Sequence, residues 1–193
     1  LYGSRAASGV VMITTKTGKK NKGLGIEYNG GLQWSTILRL PEFQNEFGMG
    51  WNGDHTELEN GSWGPRFDGS MQLWGNRYEN SQKLKPYSPI KDNIRDFFDA
   101  GFRYNNSVSF NGATDRSEYY VSFSQISDNG MIPTDADSYD KYTFSARGSH
   151  KVKALTFSSS LNYSYQKNKF ATTGQGLTML NSLYQTPRDI SII

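Results

Sequence analysis

Five aromatic side chains crowd one stretch of the sequence: Trp51, Trp63, Trp74, Tyr78 and Tyr87. An indole face can stack on a sugar ring, and aromatic side chains supply large contact area at low entropic cost. They can also pack the stretch against its own scaffold, the commoner fate of tryptophan. In the same stretch, Trp63-Gly64-Pro65-Arg66-Phe67-Asp68-Gly69 sets a cation and a carboxylate on either side of Phe67. Arg66 and Asp68 could hold a polar substrate or form an internal ion pair that fixes the loop; the ion pair is the expected arrangement. Trp63, Arg66 and Asp68, with Trp51 and Trp74, are therefore the candidate substrate-binding or loop-structural residues.

Other groupings carry less. Gly48-Met49-Gly50-Trp51-Asn52-Gly53 spells G-x-G-x-x-G. No parallel strand precedes it and no βαβ unit surrounds it, so a dinucleotide site is not expected. Gly18-Lys19-Lys20 lacks the earlier glycine of a P-loop; Ile13 stands there. Asp135, Asp137 and Asp140 offer oxygen ligands of the kind calcium takes, without EF-hand spacing. Exposed acidic loops are common, and no metal is assigned. His55 and His150 are the only histidines, and neither has a nearby nucleophile with a third orienting group. Glu57 and Glu59 read as solvated charge. No enzyme and no cofactor are expected.

The elements that must position these residues follow from composition and pattern. The 193 residues carry 21 basic and 18 acidic side chains, a balance that does not argue for nucleic acid. There is no cysteine, so disulfides and Cys-ligated metals are excluded. No window approaches about 18 consecutive apolar residues, which rules out a transmembrane helix. It does not rule out a membrane β-barrel, whose strands face a wet lumen with half their side chains.

Period-two alternation is the main signal, since a strand points successive side chains to opposite faces. From Leu24 to Trp34 the apolar set is Leu24, Ile26, Tyr28, Leu32 and Trp34, against Glu27, Asn29 and Gln33. Val108 and Phe110 alternate with Ser107, Ser109 and Asn111. Tyr119, Val121 and Phe123 alternate with Tyr120, Ser122 and Ser124. Tyr142, Phe144 and Ala146 alternate with Thr143, Ser145 and Arg147. Leu155, Phe157, Leu161, Tyr163 and Tyr165 alternate with Thr156, Ser158, Ser160, Asn162, Ser164 and Gln166. The longest runs match the roughly 9–11 residues a tilted strand needs to cross a bilayer, and aromatics sit toward the run ends, as in barrel girdles.

The connections alternate in length. Tight turns are expected at Ala113-Thr114-Asp115-Arg116 and Lys151-Val152-Lys153-Ala154. Long connections are expected at about 35–104, 128–138 and 168–193, with short helices near Ile94–Phe98 and Leu177–Tyr184. Outer-membrane barrels have short periplasmic turns and long extracellular loops. The expected fold is all-β: an antiparallel transmembrane barrel segment of about five strands. Five strands are too few to close a barrel, so a segment of a larger barrel is expected. The alternative is a soluble all-β carbohydrate-binding module using the loop tryptophans as its platform.

The N-terminal string LYGSRAASGVVMITTKTG, from Leu1 to Gly18, resembles the end of the plug domain of TonB-dependent outer-membrane receptors. In particular it is similar to the SusC-like (SusC/RagA) family of Bacteroidetes, through Tyr2, Gly3, Ser4, Arg5, Ala6, Ala7, Gly9, Val10, Thr14, Thr15, Lys16 and Gly18. The Trp63–Gly69 string resembles one that family carries in its first long loop. Tyr2, Gly3, Ser4, Arg5 and Gly9 are accordingly the plug-motif residues. The resemblance implies residues 1–22 as plug end and linker, the plug closing on a last strand, and 23–193 as the start of a barrel of about twenty-two strands. It implies TonB-dependent import of oligosaccharides or oligopeptides across the bacterial outer membrane. It also implies a SusD-like surface lipoprotein, outer-membrane lipid and TonB as partners, TonB acting through an upstream segment. Lys16, Lys19, Lys20 and Lys22 would then form a periplasmic linker facing anionic headgroups or the barrel rim.

Overall fold

In the computed structural model, residues 15–18, 25–174 and 176–193 are described. Tyr2, Gly3, Ser4, Arg5 and Gly9 lie outside the described residues, as do Lys19, Lys20 and Lys22. The described chain runs β1 (Gly25–Ser35), β2 (Met71–Tyr78), β3 (Ser81–Pro86), α1 (Asn93–Asp96), β4 (Gly101–Ala113), β5 (Ser117–Asp128), β6 (Tyr139–Val152), β7 (Leu155–Asn168) and α2 (Met179–Gln185). The fold is all-β and mainly antiparallel. No described helix is long and apolar enough to cross a membrane.

Five strands form one sheet in the order β1-β4-β5-β6-β7. These are the five alternating runs, and their cross-strand contacts obey the alternation. Tyr28 donates to Asn106 Oδ1 at 2.7 Å, and Phe123 stacks on Tyr142 at 6.4 Å, both on the mainly apolar set. Arg147 lies over Tyr120 and donates to Asn162 Oδ1 at 3.5 Å, on the polar set. Both tight turns are present. Thr114 Oγ1 accepts from the Arg116 and Ser117 N–H groups, a side-chain-closed turn. Lys153 takes a φ of 53° between β6 and β7.

The apolar face of this sheet is bare. Phe157, Leu161 and Tyr163 are 62%, 59% and 62% exposed, and Leu32 and Trp34 more so. Among the described residues the buried hydrophobic side chains are Tyr87, Ile94 and Leu183, none of them on the sheet. The polar set, by contrast, meets the chain's own residues 15–18. Lys16 pairs with Glu27 at 3.3 Å, and Arg147 donates to the Lys16 carbonyl at 3.4 Å. A Cβ at Gly18 would overlap the backbone of Gly112 and Tyr119, so only glycine fits that approach.

Two compact units emerge. One gathers Tyr104–Ile126, Asp140–Gln166 and the first part of β1, with both short turns. The other gathers Leu32–Arg103, Ser127–Tyr139 and Lys167–Ile193, and so holds all three long connections. The second unit contains the buried hydrophobic side chains Tyr87, Ile94 and Leu183. It also contains the β2–β3 hairpin, which pairs Leu73 with Leu84 and Trp74 with Lys83. Its two-residue turn, Glu79-Asn80, has positive φ at both positions, the twist a hairpin favours. Thr178 caps the start of α2, its hydroxyl accepting from the Asn181 N–H. It stops before Pro187, as residues preceding proline favour extended backbone.

Candidate functional site

The two glycine-containing strings of the first long connection fold onto each other. The Gly64 N–H donates to the Gly48 carbonyl at 3.0 Å, the Trp63 N–H to Gly50 at 3.1 Å, and the Phe67 N–H to Glu46 at 2.9 Å. Trp51 and Asp54 close a two-residue hairpin over Asn52-Gly53, both at positive φ. G-x-G-x-x-G here braces the Trp63–Gly69 string. Gly48 is fixed by packing, because an added Cβ would run into the Phe67 and Tyr87 rings.

Tyr87, 2% exposed, is the hub of this brace. Its hydroxyl donates to the Pro65 carbonyl at 2.9 Å. Its ring lies 4.8 Å from Phe67 and 5.6 Å from His55. Burial and the nearby Asp189 charge push its phenol up to about 12.

The third long connection locks onto the first through two adjacent charges. Arg188 donates through Nε to the Gln44 carbonyl at 3.0 Å. Its Nη2 donates to Asn45 Oδ1 at 2.9 Å and to the Lys91 carbonyl at 3.1 Å. Its guanidinium also lies over Phe43, 5.3 Å from the ring centre. Burial pulls it below the usual arginine range, with Asp92 opposing. Asp189 accepts from the Met49 N–H at 2.8 Å and pairs with Lys85. Asn93 bridges the same two segments, donating to Ile190 and accepting from the Ile192 N–H.

The expected pairing of Arg66 with Asp68 is not made. Arg66 pairs instead with Glu46, across the bridge that joins Phe47 to Arg66. Arg66 and Asp68, two residues apart on an extended segment, need not meet, whereas the bridge brings Arg66 against the Glu46–Phe47 segment. Both partners are mostly exposed, so this pair adds little stability. Asp68 accepts from the Ser70 N–H at 2.9 Å, and its hydrogen bonds with Ser70 hold its carboxyl below the usual range. Nor do all the tryptophans pack inward. Trp51 and Trp63 are 60% and 69% exposed and line a cavity of about 420 Å³ with Phe43, Phe47 and Tyr184. Trp74 is half-buried at a second cavity, of about 670 Å³.

No family model matches the chain. Over 179 residues it is 24% identical to a protein described as TonB-dependent receptor SusC, from Bacteroides thetaiotaomicron. The chain is similar to a TonB-dependent receptor. That alignment takes in 92% of this chain and 16% of the SusC protein. The SusC likeness thus extends well beyond the two strings in which it is legible by eye.

Ser117 Oγ lies 2.7 Å from His150 Nδ1, but among the described residues no carboxylate orients that imidazole. Asp137 caps the Met131 and Ile132 N–H groups. Among the described residues no three His, Cys, Asp or Glu side chains are grouped to hold a metal.

Proposed function

We propose that this chain is the plug terminus and first five barrel strands of a SusC-like TonB-dependent transporter. Residues 1–22 end the plug and lead in, and 23–193 begin the barrel. The whole protein imports an oligosaccharide or oligopeptide across the outer membrane. A SusD-like lipoprotein presents the substrate from outside, and TonB remodels the plug from within.

The bare apolar face of the sheet carries this reading. Five neighbouring strands of 11 to 14 residues are each long enough to cross a bilayer at a tilt. Their apolar sets line one side with little to cover them. In water such a face drives aggregation; in lipid it is satisfied. The opposite face is rich in Ser, Thr and Asn, suits a wet lumen, and meets residues 15–18. Grouping of the long connections in one unit and the short turns in the other matches the loop-length pattern of outer-membrane barrels and supports the same reading. The SusC likeness supports it independently.

The test uses the full-length protein in cells. This stretch has no cysteine; in a full-length protein cleared of any cysteine elsewhere, single cysteines at Phe157 and Ser158 report the two faces. In isolated outer membranes, a water-soluble maleimide labels position 158 and spares position 157 until the protein is denatured. Recovery in the soluble fraction, with both positions labelled, would sink the transporter and favour the soluble module.

A further inference from the structure

The cavity of about 670 Å³ falls in the size range of ligand pockets, and its wall has an unusual chemistry. It is built wholly within the unit of long connections. Met49, Trp74, Pro187 and Ile190 form a buried or half-buried apolar floor. Leu58 and Leu177, 95% and 97% exposed, stand at the rim. Glu57 and Glu59 bring two carboxylates, and no lysine or arginine lines the cavity. Gln82 holds both oxygens of Glu57, at 3.0 and 3.2 Å. Glu59 has no ion pair or hydrogen bond among the described residues.

We infer that this cavity takes an oligopeptide carrying both aliphatic and positively charged side chains. The inference rests on the transporter reading and selects the peptide among its two substrate classes. A neutral glycan needs open flat rings to stack on, and the one indole here is partly covered, with Lys83 Nζ 6.0 Å from the Trp74 ring centre. Aliphatic side chains match the Met49, Leu58, Leu177 and Ile190 surface. A lysine, an arginine or a terminal ammonium matches the acidic rim, where charge-assisted hydrogen bonds are the strong ones. Side-chain amides of Asn60, Asn76 and Gln185 supply donors and acceptors for peptide groups.

The experiment is calorimetric titration of the full-length protein in detergent. The probes are a hexapeptide alternating leucine and lysine, the same peptide with glutamate for lysine, and maltohexaose. The lysine peptide is expected to bind at least tenfold more tightly than either other probe. Glu59→Lys, at an exposed position, should weaken it at least tenfold and improve the glutamate peptide. Leu177→Asp, at an equally exposed position, should weaken it through the loss of apolar rim. Equal binding of the three probes, preference for maltohexaose, or indifference to both variants overturns the inference. The maleimide pattern, measured on the same protein, keeps the two readings apart. A transporter pattern without peptide discrimination removes only the ligand assignment, whereas a soluble, fully labelled protein removes the transporter itself.

Discussion

Asp189 divides its carboxylate between two partners, pairing with Lys85 through one oxygen and accepting from the Met49 N–H through the other. Its side chain is fully buried and that of Lys85 is 12% exposed. A buried pair of this kind stabilises little relative to apolar packing, but loss of one partner strands the other charge. Asp189→Ala is therefore expected to destabilise the long connections by about 3–5 kcal/mol. Hydrogen exchange in the full-length protein should accelerate at Met49 and around Lys85 together. Exchange unchanged at both sites would mean that the pair does not join these segments.

Gly48 gives a second test, of packing instead of charge. A methyl group there meets the Phe67 and Tyr87 rings, and the Tyr87 hydroxyl ties that ring to Pro65. Gly48→Ala should cost about 1–3 kcal/mol, the usual range for overpacking. The loss should appear as protease sensitivity near the Trp63–Gly69 string. Gly53→Ala is the comparison: its Cβ meets nothing within 4 Å, but its φ of 87° strains any other residue. Protection retained in Gly48→Ala would show that the rings can move aside.

What the sequence makes legible follows from how local each signal is. β1 and β7 begin within a residue of their alternating runs, because period-two patterning over ten residues has one structural reading. β4 starts earlier than the alternation from Ser107, at Gly101, since Tyr104 to Asn106 break the pattern with polar and aromatic residues on both faces. The β2–β3 hairpin is hidden for a related reason. Gly75, at φ 76°, falls where the register shifts between Trp74 and Tyr78, and it erases the period. Arg188 and Asp189 leave no mark at all. Two adjacent opposite charges after a short helix read as solvent-facing, and only folding brings Gln44, Asn45, Met49 and Lys85 around them. The Arg66–Glu46 pair is invisible for the same reason, its partners being brought together by a bridge and not by spacing.

Tyr87 makes the brace sensitive to alkali. Its phenol titrates near 10.0 when unfolded and is pushed up to about 12 in the fold. The folded state therefore holds its proton more tightly. The associated stability is present in full below about pH 10 and is lost as the pH rises toward about 12. Stability of the long connections should fall across that window more steeply than in Tyr87→Phe. The variant loses the hydroxyl bond to Pro65 at every pH, so the slope, and not the level, is the diagnostic. Parallel slopes for the two proteins would remove Tyr87 as the cause.

The strand faces yield the most direct prediction for the transporter reading. Phe157 and Ser158 are neighbours on β7, both exposed, and point to opposite sides of the sheet. If Phe157 faces hydrocarbon, Phe157→Arg places a charge in lipid, at a cost of about 2–4 kcal/mol near the bilayer midplane. Ser158→Arg places the same charge against water in the lumen and should cost under about 1 kcal/mol, as an ordinary surface substitution does. The measurement is the denaturant midpoint of the full-length protein refolded into lipid vesicles, with both variants side by side. A soluble sheet exposes both positions to water and predicts equal, small effects. Equal effects in vesicles would mean that the apolar set of β7 does not touch lipid.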